Sequence, residues 1–125
     1  MATRIVRESE VEGVVRTPPR VSKTLISEIT TGAQNISMGV NVTAVGSRIP
    51  EHVHENEEEA MYIISGKGKL VINGGEEEYE VGAGTAIFAA RGTRHEIINT
   101  GDTELKLVWA YSPPLPAHRK TQGSC

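Results

Sequence analysis

Two histidines stand two residues apart in PEHVHENEEE (residues 50–59), and four glutamates follow them: Glu55, Glu57, Glu58 and Glu59. Imidazole nitrogens beside carboxylate oxygens are the donor set of a divalent transition-metal site, and the same composition also makes an ordinary charged loop. On an extended strand His52 and His54, at i and i+2, project from one face and can reach a common ion. Glu59 lies five residues past His54, an odd offset that a straight strand would send to the opposite face. The chain must bend between them, and HENEE, polar and without β-branched residues, suits a bend. A new strand through AMYIISG (60–66) can then carry Glu59 back opposite the histidines. Taken alone, H-x-H is a weak signal, because exposed histidine is common.

The rest of the chain reads as the strands needed to hold such a group. Glycine and short polar turns recur about every ten residues, with no sustained i, i+3, i+4 apolar stripe behind a cap, so the pattern is all-β. Residues 36–44 alternate, with Ile36, Met38, Val40, Val42 and Ala44 on one side and Ser37, Gly39, Asn41 and Thr43 on the other. A hairpin is expected from Lys69–Ile72 through Asn73-Gly74-Gly75 to Tyr79–Val81. Further strands are expected over Thr85–Ala90, His95–Asn99 and Glu104–Tyr111. Many short strands at this spacing mean a sandwich or a barrel.

Length and charge narrow the function. The 125 residues suit one core, and a net charge of -3 with scattered Lys and Arg gives no basic surface to hold the phosphates of a nucleic acid, so nucleic acid is not an expected partner. No apolar run reaches the roughly 18–20 residues of a membrane span, and MATRIVRESEVEG begins charged, so the chain reads as cytoplasmic. The single cysteine, Cys125, is assigned no role. Residues 1–20, with Pro18-Pro19, read as an N-terminal arm and residues 113–125 as a C-terminal tail, with His118 a solvated tail histidine. A homodimer is expected, since sheet edges need cover and the arm is long enough to lie across a neighbour.

Gly46-(x5)-His52-x-His54-(x4)-Glu59-(x6)-Gly66 resembles the first motif of the cupin superfamily. Gly84-(x5)-Ala90-Arg91-Gly92-(x2)-His95-(x3)-Asn99 is similar to the second, with Ala90 where proline is usual. The resemblance implies a cupin-type double-stranded β-helix, or jelly-roll barrel, over residues 21–112, with one metal ion in its mouth. It implies His52, His54, Glu59 and His95 as the ligands, and Fe, Mn, Ni, Co or Zn as the ion. With Glu59 inward, alternation places Met61 and Ile63 inward and Tyr62 outward. Glu55, Glu57 and Glu58 then form a solvated rim. Met38, Val40 and Ile97 complete the inward candidates, and Arg48 or Arg91 is a candidate for orienting a substrate carboxylate. The expected function is that of a mononuclear metal enzyme acting on a small oxygenated molecule, first as a dioxygenase-type oxidoreductase. The alternatives are a metal-dependent isomerase, lyase or cyclase, or a non-catalytic small-molecule binder.

Overall fold

The computed structural model describes residues 4–119; Cys125 lies outside them. Ten strands dominate: β1 (Val14–Arg16), β2 (Arg20–Ile26), β3 (Ser37–Thr43), β4 (Arg48–His52), β5 (Glu58–Ser65), β6 (Lys67–Ile72), β7 (Glu77–Gly82), β8 (Ala86–Ala89), β9 (His95–Asn99) and β10 (Leu105–Ser112). One four-residue helix, α1 (Glu28–Thr31), is closed at its N-terminus by a capping box between Ser27 and Thr30. The strands form a six-stranded sheet, β1-β2-β3-β10-β5-β8, and a four-stranded sheet, β4-β9-β6-β7. Every pairing is antiparallel, as in a jelly roll. Among the described residues no helix is long and apolar enough to cross a membrane.

The core fills the space between the sheets. Met61, Ile63, Ile87, Leu107 and Trp109 come from the larger sheet, and Leu70, Val81 and Ile97 from the smaller. The register of β5 matches the sequence expectation: Glu59, Met61 and Ile63 are buried, and Tyr62 is half exposed on the outer face. The expected hairpin is β6 and β7, with Leu70 opposite Tyr79. Gly66, Gly84 and Gly92 all have positive φ, as their place at chain reversals predicts.

The face of β3 is the reverse of that expected. Asn41 lines the interior cavity, and Ser37, Gly39 and Thr43 share its buried face, so Met38 and Val40 are not inward residues. Two features make a polar face tolerable inside. Gly39 leaves room for the Trp109 indole, since a Cβ there would stand 2.3 Å from the ring. The polar groups also satisfy one another: Thr43 Oγ1 donates to Asn41 Oδ1 (2.7 Å), and Asn99 Nδ2 donates to the carbonyls of Thr43 and Ala44 (both 3.1 Å).

Described residues of both the arm and the tail contribute to the fold. Within the arm, β1 pairs with β2 and edges the larger sheet. The 3-10 turn Glu8–Glu10 is tied back to the same sheet, with Lys106 Nζ donating to the Glu8 carboxylate (2.9 Å) and Lys23 Nζ to the Glu8 carbonyl (3.0 Å). In the tail, His118 is not solvated: it stacks on Trp109 with ring centroids 5.2 Å apart, and its Nδ1 lies 2.8 Å from Ser37 Oγ.

Candidate metal centre

The three strands that carry the expected ligands meet at one mouth of the barrel. His52 closes β4 and is the cross-strand partner of His95, the first residue of β9, with ring centroids 4.1 Å apart. Glu59 reaches them from β5 in the other sheet. His54 lies just past β4, before the bend at Glu55 and Asn56. That bend is held from the second motif: Gly92 N–H donates to the His54 carbonyl (2.9 Å), and Arg91 Nε donates to the Asn56 carbonyl (3.1 Å). Gly92 makes the first contact at φ 75°, a conformation that alanine or proline would strain.

One ligand atom each from His52, His54 and Glu59 lies within 4.8 Å of the others. His95 stands beside this trio, its Nε2 3.0 Å from Glu59 Oε1. All four side chains are thus brought together. Of the neighbouring acids, Glu55 and Glu58 are exposed as expected, whereas Glu57 is buried and does not belong to a solvated rim.

The hydrogen-bond directions carry the chemical content. His95 Nδ1 faces the Thr93 carbonyl (3.2 Å) while its Nε2 faces the Glu59 carboxylate, and both of those groups accept only. His52 repeats the pattern, with Nδ1 on the Pro50 carbonyl (2.9 Å) and Nε2 3.8 Å from Glu59 Oε1. A neutral imidazole donates through one nitrogen, so each Nδ1 bond to a carbonyl leaves an Nε2 lone pair pointing at a carboxylate. A cation between the nitrogens and the oxygen resolves that conflict. His54 Nε2 is buried without a hydrogen-bond partner, a third lone pair that a cation would satisfy. The donor set therefore fits a divalent transition metal.

The electrostatics agree. Burial opposes ionisation of Glu59, but the contacts with His52 and His95 hold its carboxyl down to about 2. Burial disfavours a charged His52, yet Glu59 and the Pro50 carbonyl outweigh it and raise its pKa. His54 is lowered by burial and then by the charge of His52.

Beside the cluster opens a cavity of about 360 Å³, within the usual size of small-molecule sites. Ile49, Met61, Ile97, Leu107 and Trp109 supply its apolar lining, and Arg16, Arg20, Ser22 and Asn41, on β1, β2 and β3, a polar part of it. Tyr111 and His118 also face it. Burial and then the charge of Glu59 raise the pKa of the Tyr111 phenol, while burial and then Arg16 lower that of His118. Arg48 and Arg91 do not line the cavity: Arg48 pairs with Glu96 (3.3 Å), and Arg91 holds the bend. Sequence reasoning missed Arg16, Arg20, Asn41 and His118. It had a usable signal for Trp109 and Tyr111, which continue the alternation of Leu105 and Leu107 in β10.

Comparison with known proteins bears on this geometry. A family model described as a cupin domain matches residues 40–111. The chain is 32% identical over 94 residues to the polyketide synthase CurC of Streptomyces cyaneus, an alignment covering 75% of this chain and 60% of that protein. It thus spans about three fifths of the length of this curated relative. The crystal structure of a predicted oxalate decarboxylase from Thermotoga maritima superposes with a TM-score of 0.76 at 27% identity, covering 88% of this chain and 99% of that one. The polyketide cyclase RemF of Streptomyces resistomycificus shares the fold, with a TM-score of 0.77 at 22% identity over 90% of this chain and 80% of that one. By its matched residues and its two-sheet barrel, this chain belongs to the cupin family.

Proposed function

We propose that the chain is a metal-dependent enzyme that holds a divalent ion with His52, His54, Glu59 and His95 and acts without dioxygen on a small molecule bearing an enolisable carbonyl. The observation that carries this reading is the set of histidine Nε2 atoms aimed at the Glu59 carboxylate while Nδ1 of His52 and His95 is engaged by a backbone carbonyl. The relatives named for polyketide synthesis and oxalate favour the cyclase or lyase alternative over the dioxygenase expectation.

A divalent ion bound there supplies Lewis acidity toward a carbonyl oxygen. The chain's own groups supply the rest. Tyr111, whose raised pKa keeps it protonated at neutral pH, is a neutral donor beside Glu59. His118, whose lowered pKa keeps it neutral there, is a proton acceptor on the cavity wall. Ile49, Met61, Ile97 and Leu107 exclude water from a bound apolar body.

The test is metal analysis of the purified protein, then reconstitution with each of Fe(II), Mn(II), Ni(II), Co(II) and Zn(II). Turnover of 1,3-dicarbonyl and keto-acid compounds is followed in air and under nitrogen. Metal-dependent turnover at equal rates in both atmospheres is the expected result. Stoichiometric oxygen consumption would return the site to oxygenase chemistry, and failure to take up any metal would remove the reading.

A further inference from the structure

The β1–β2 side of the cavity has its own chemistry. Arg16 and Arg20 are direct cross-strand partners in β1 and β2, and both line the cavity. Like charges in that relation are destabilising. Arg48 finds a carboxylate on Glu96 and Arg94 on Glu51, but among the described residues neither Arg16 nor Arg20 forms an ion pair, although both line a cavity. Burial and then the charge of Arg16 lower the pKa of Arg20, as expected for two cations in one cavity without a counter-charge.

The neighbours make this wall a donor surface. Arg20 is half-buried and steadied by a bond from Nη1 to the Pro18 carbonyl (3.0 Å), which leaves most of its guanidinium fork unused. Ser22, two residues on and therefore on the same face, also lines the cavity. Asn41, its register partner on β3, has its Oδ1 occupied by Thr43, so its amide nitrogen is left to donate. The carboxylates bordering the cavity are engaged elsewhere: Glu59 with the histidines and Glu51 with Arg94 (3.7 Å).

We propose that Arg16 and Arg20, backed by Ser22 and Asn41, form a subsite for an oxyanion of the substrate, a carboxylate or a phosphate monoester, on the β1–β2 side of the cavity, in a molecule whose other end meets the histidine cluster. The fork geometry of two guanidiniums suits a multi-oxygen anion, and charge-assisted bonds of this kind are the strong ones. The substrate class narrows to organic acids or phosphate esters of small size, and neutral polyketones are disfavoured. The proposal rests on the proposed function only in placing the ligand's other end at the metal centre.

Benzoate, phenyl phosphate and neutral benzamide are the probes, titrated against the fluorescence of Trp109, the chain's single tryptophan, in chelator-treated and in Zn(II)-loaded protein. At least one anion should bind about tenfold or more tightly than benzamide, and Arg16→Gln or Arg20→Gln should remove about that factor. The tighter anion identifies the group. Arg16→Gln changes an exposed residue of an edge strand, and Arg20→Lys keeps the charge while losing the fork, so the test survives misfolding of Arg20→Gln. Arg48→Gln, outside the cavity, should change nothing. The preference should persist after chelation. Equal binding of all three probes, or a preference that chelator abolishes and the arginine substitutions leave intact, would overturn the subsite while leaving the metal reading standing. A preference lost on Arg→Gln in a protein that never takes up metal would uphold the subsite and remove the metal reading.

Discussion

The two walls of the cavity differ in how their charges are balanced. On the histidine wall the buried carboxylate has internal partners: Glu59 and His95 are each under 5% exposed and 3.0 Å apart, with His52 alongside. On the arginine wall two like charges stand together, one half-buried and one exposed, and no carboxylate answers them. A coordination site needs donors fixed to within fractions of an ångström, which burial and carbonyl-anchored Nδ1 atoms provide. A substrate-binding wall instead needs unspent donors, and an edge strand can hold them near water at little cost. The same barrel therefore separates the group that would do chemistry from the group that would choose what it is done to.

The largest expected effect lies on the histidine wall. Glu59→Ala should abolish stoichiometric metal binding measured by calorimetry, because it removes the carboxylate on which two histidines converge. With it goes the metal-dependent stabilisation, about 2.7 kcal/mol at a hundredfold excess over the dissociation constant. Glu58→Ala, exposed on the same strand, should bind metal as before. Loss of metal from Glu58→Ala with retention by Glu59→Ala would mean that β5 faces the other way. Neither change should alter the anion preference of the arginine wall.

Acid separates the walls in the metal-free protein. Glu59 titrates at about 2 in the fold against its ordinary 4.5, so its stabilisation is complete above 4.5 and lost as pH falls toward 2. The amount is about 3 kcal/mol at most, shared with its coupled histidines. His52 contributes in the opposite sense: its raised pKa stabilises the fold below its ordinary 6.5 and that contribution is lost as pH rises through the folded value. Urea unfolding of chelator-treated protein should therefore show a steep loss between pH 4.5 and 2, and Glu59→Gln should flatten it. An unchanged acid limb in Glu59→Gln would mean that the histidines do not hold that carboxylate. Arg16→Gln should leave this acid limb unchanged.

The histidine wall was legible because its residues follow simple rules. Strand β5 alternates cleanly from Glu59 to Ile63, and the bend that the odd offset required sits at Glu55 and Asn56. The arginine wall follows none of them. All seven residues of β2 are half-buried, so no period of two marks it, and β1 lies in a stretch whose prolines suggested an arm. His118 meets Ser37 across 81 residues, a contact no local pattern encodes. In β3 the rule that polar residues face water gave the wrong face, because Asn41, Thr43 and Asn99 satisfy one another inside and Gly39 yields its volume to Trp109.

That last contact permits a change to one wall without the other. A Cβ at Gly39 would lie 2.3 Å from the Trp109 ring and 2.1 Å from the Lys23 carbonyl oxygen, so Gly39→Ala must displace β2, β10 or both. Overpacking of this kind typically costs about 1–3 kcal/mol. Lys23 lies next to Ser22 and three residues from Arg20, so a shift of β2 moves the strand that carries the arginine wall. The four metal-ligand candidates sit on β5, on β9, and on and just past β4, and none of these strands pairs with β3. Gly39→Ala should therefore shift the Trp109 emission and weaken benzoate or phenyl phosphate binding several-fold, while the metal still binds with its stoichiometry intact. Were β3 to face outward at Ser37, Gly39 and Asn41, the added methyl would point to solvent and neither tryptophan emission nor stability would change. A substitution that lost metal and anion together would show instead that the two walls move as one unit.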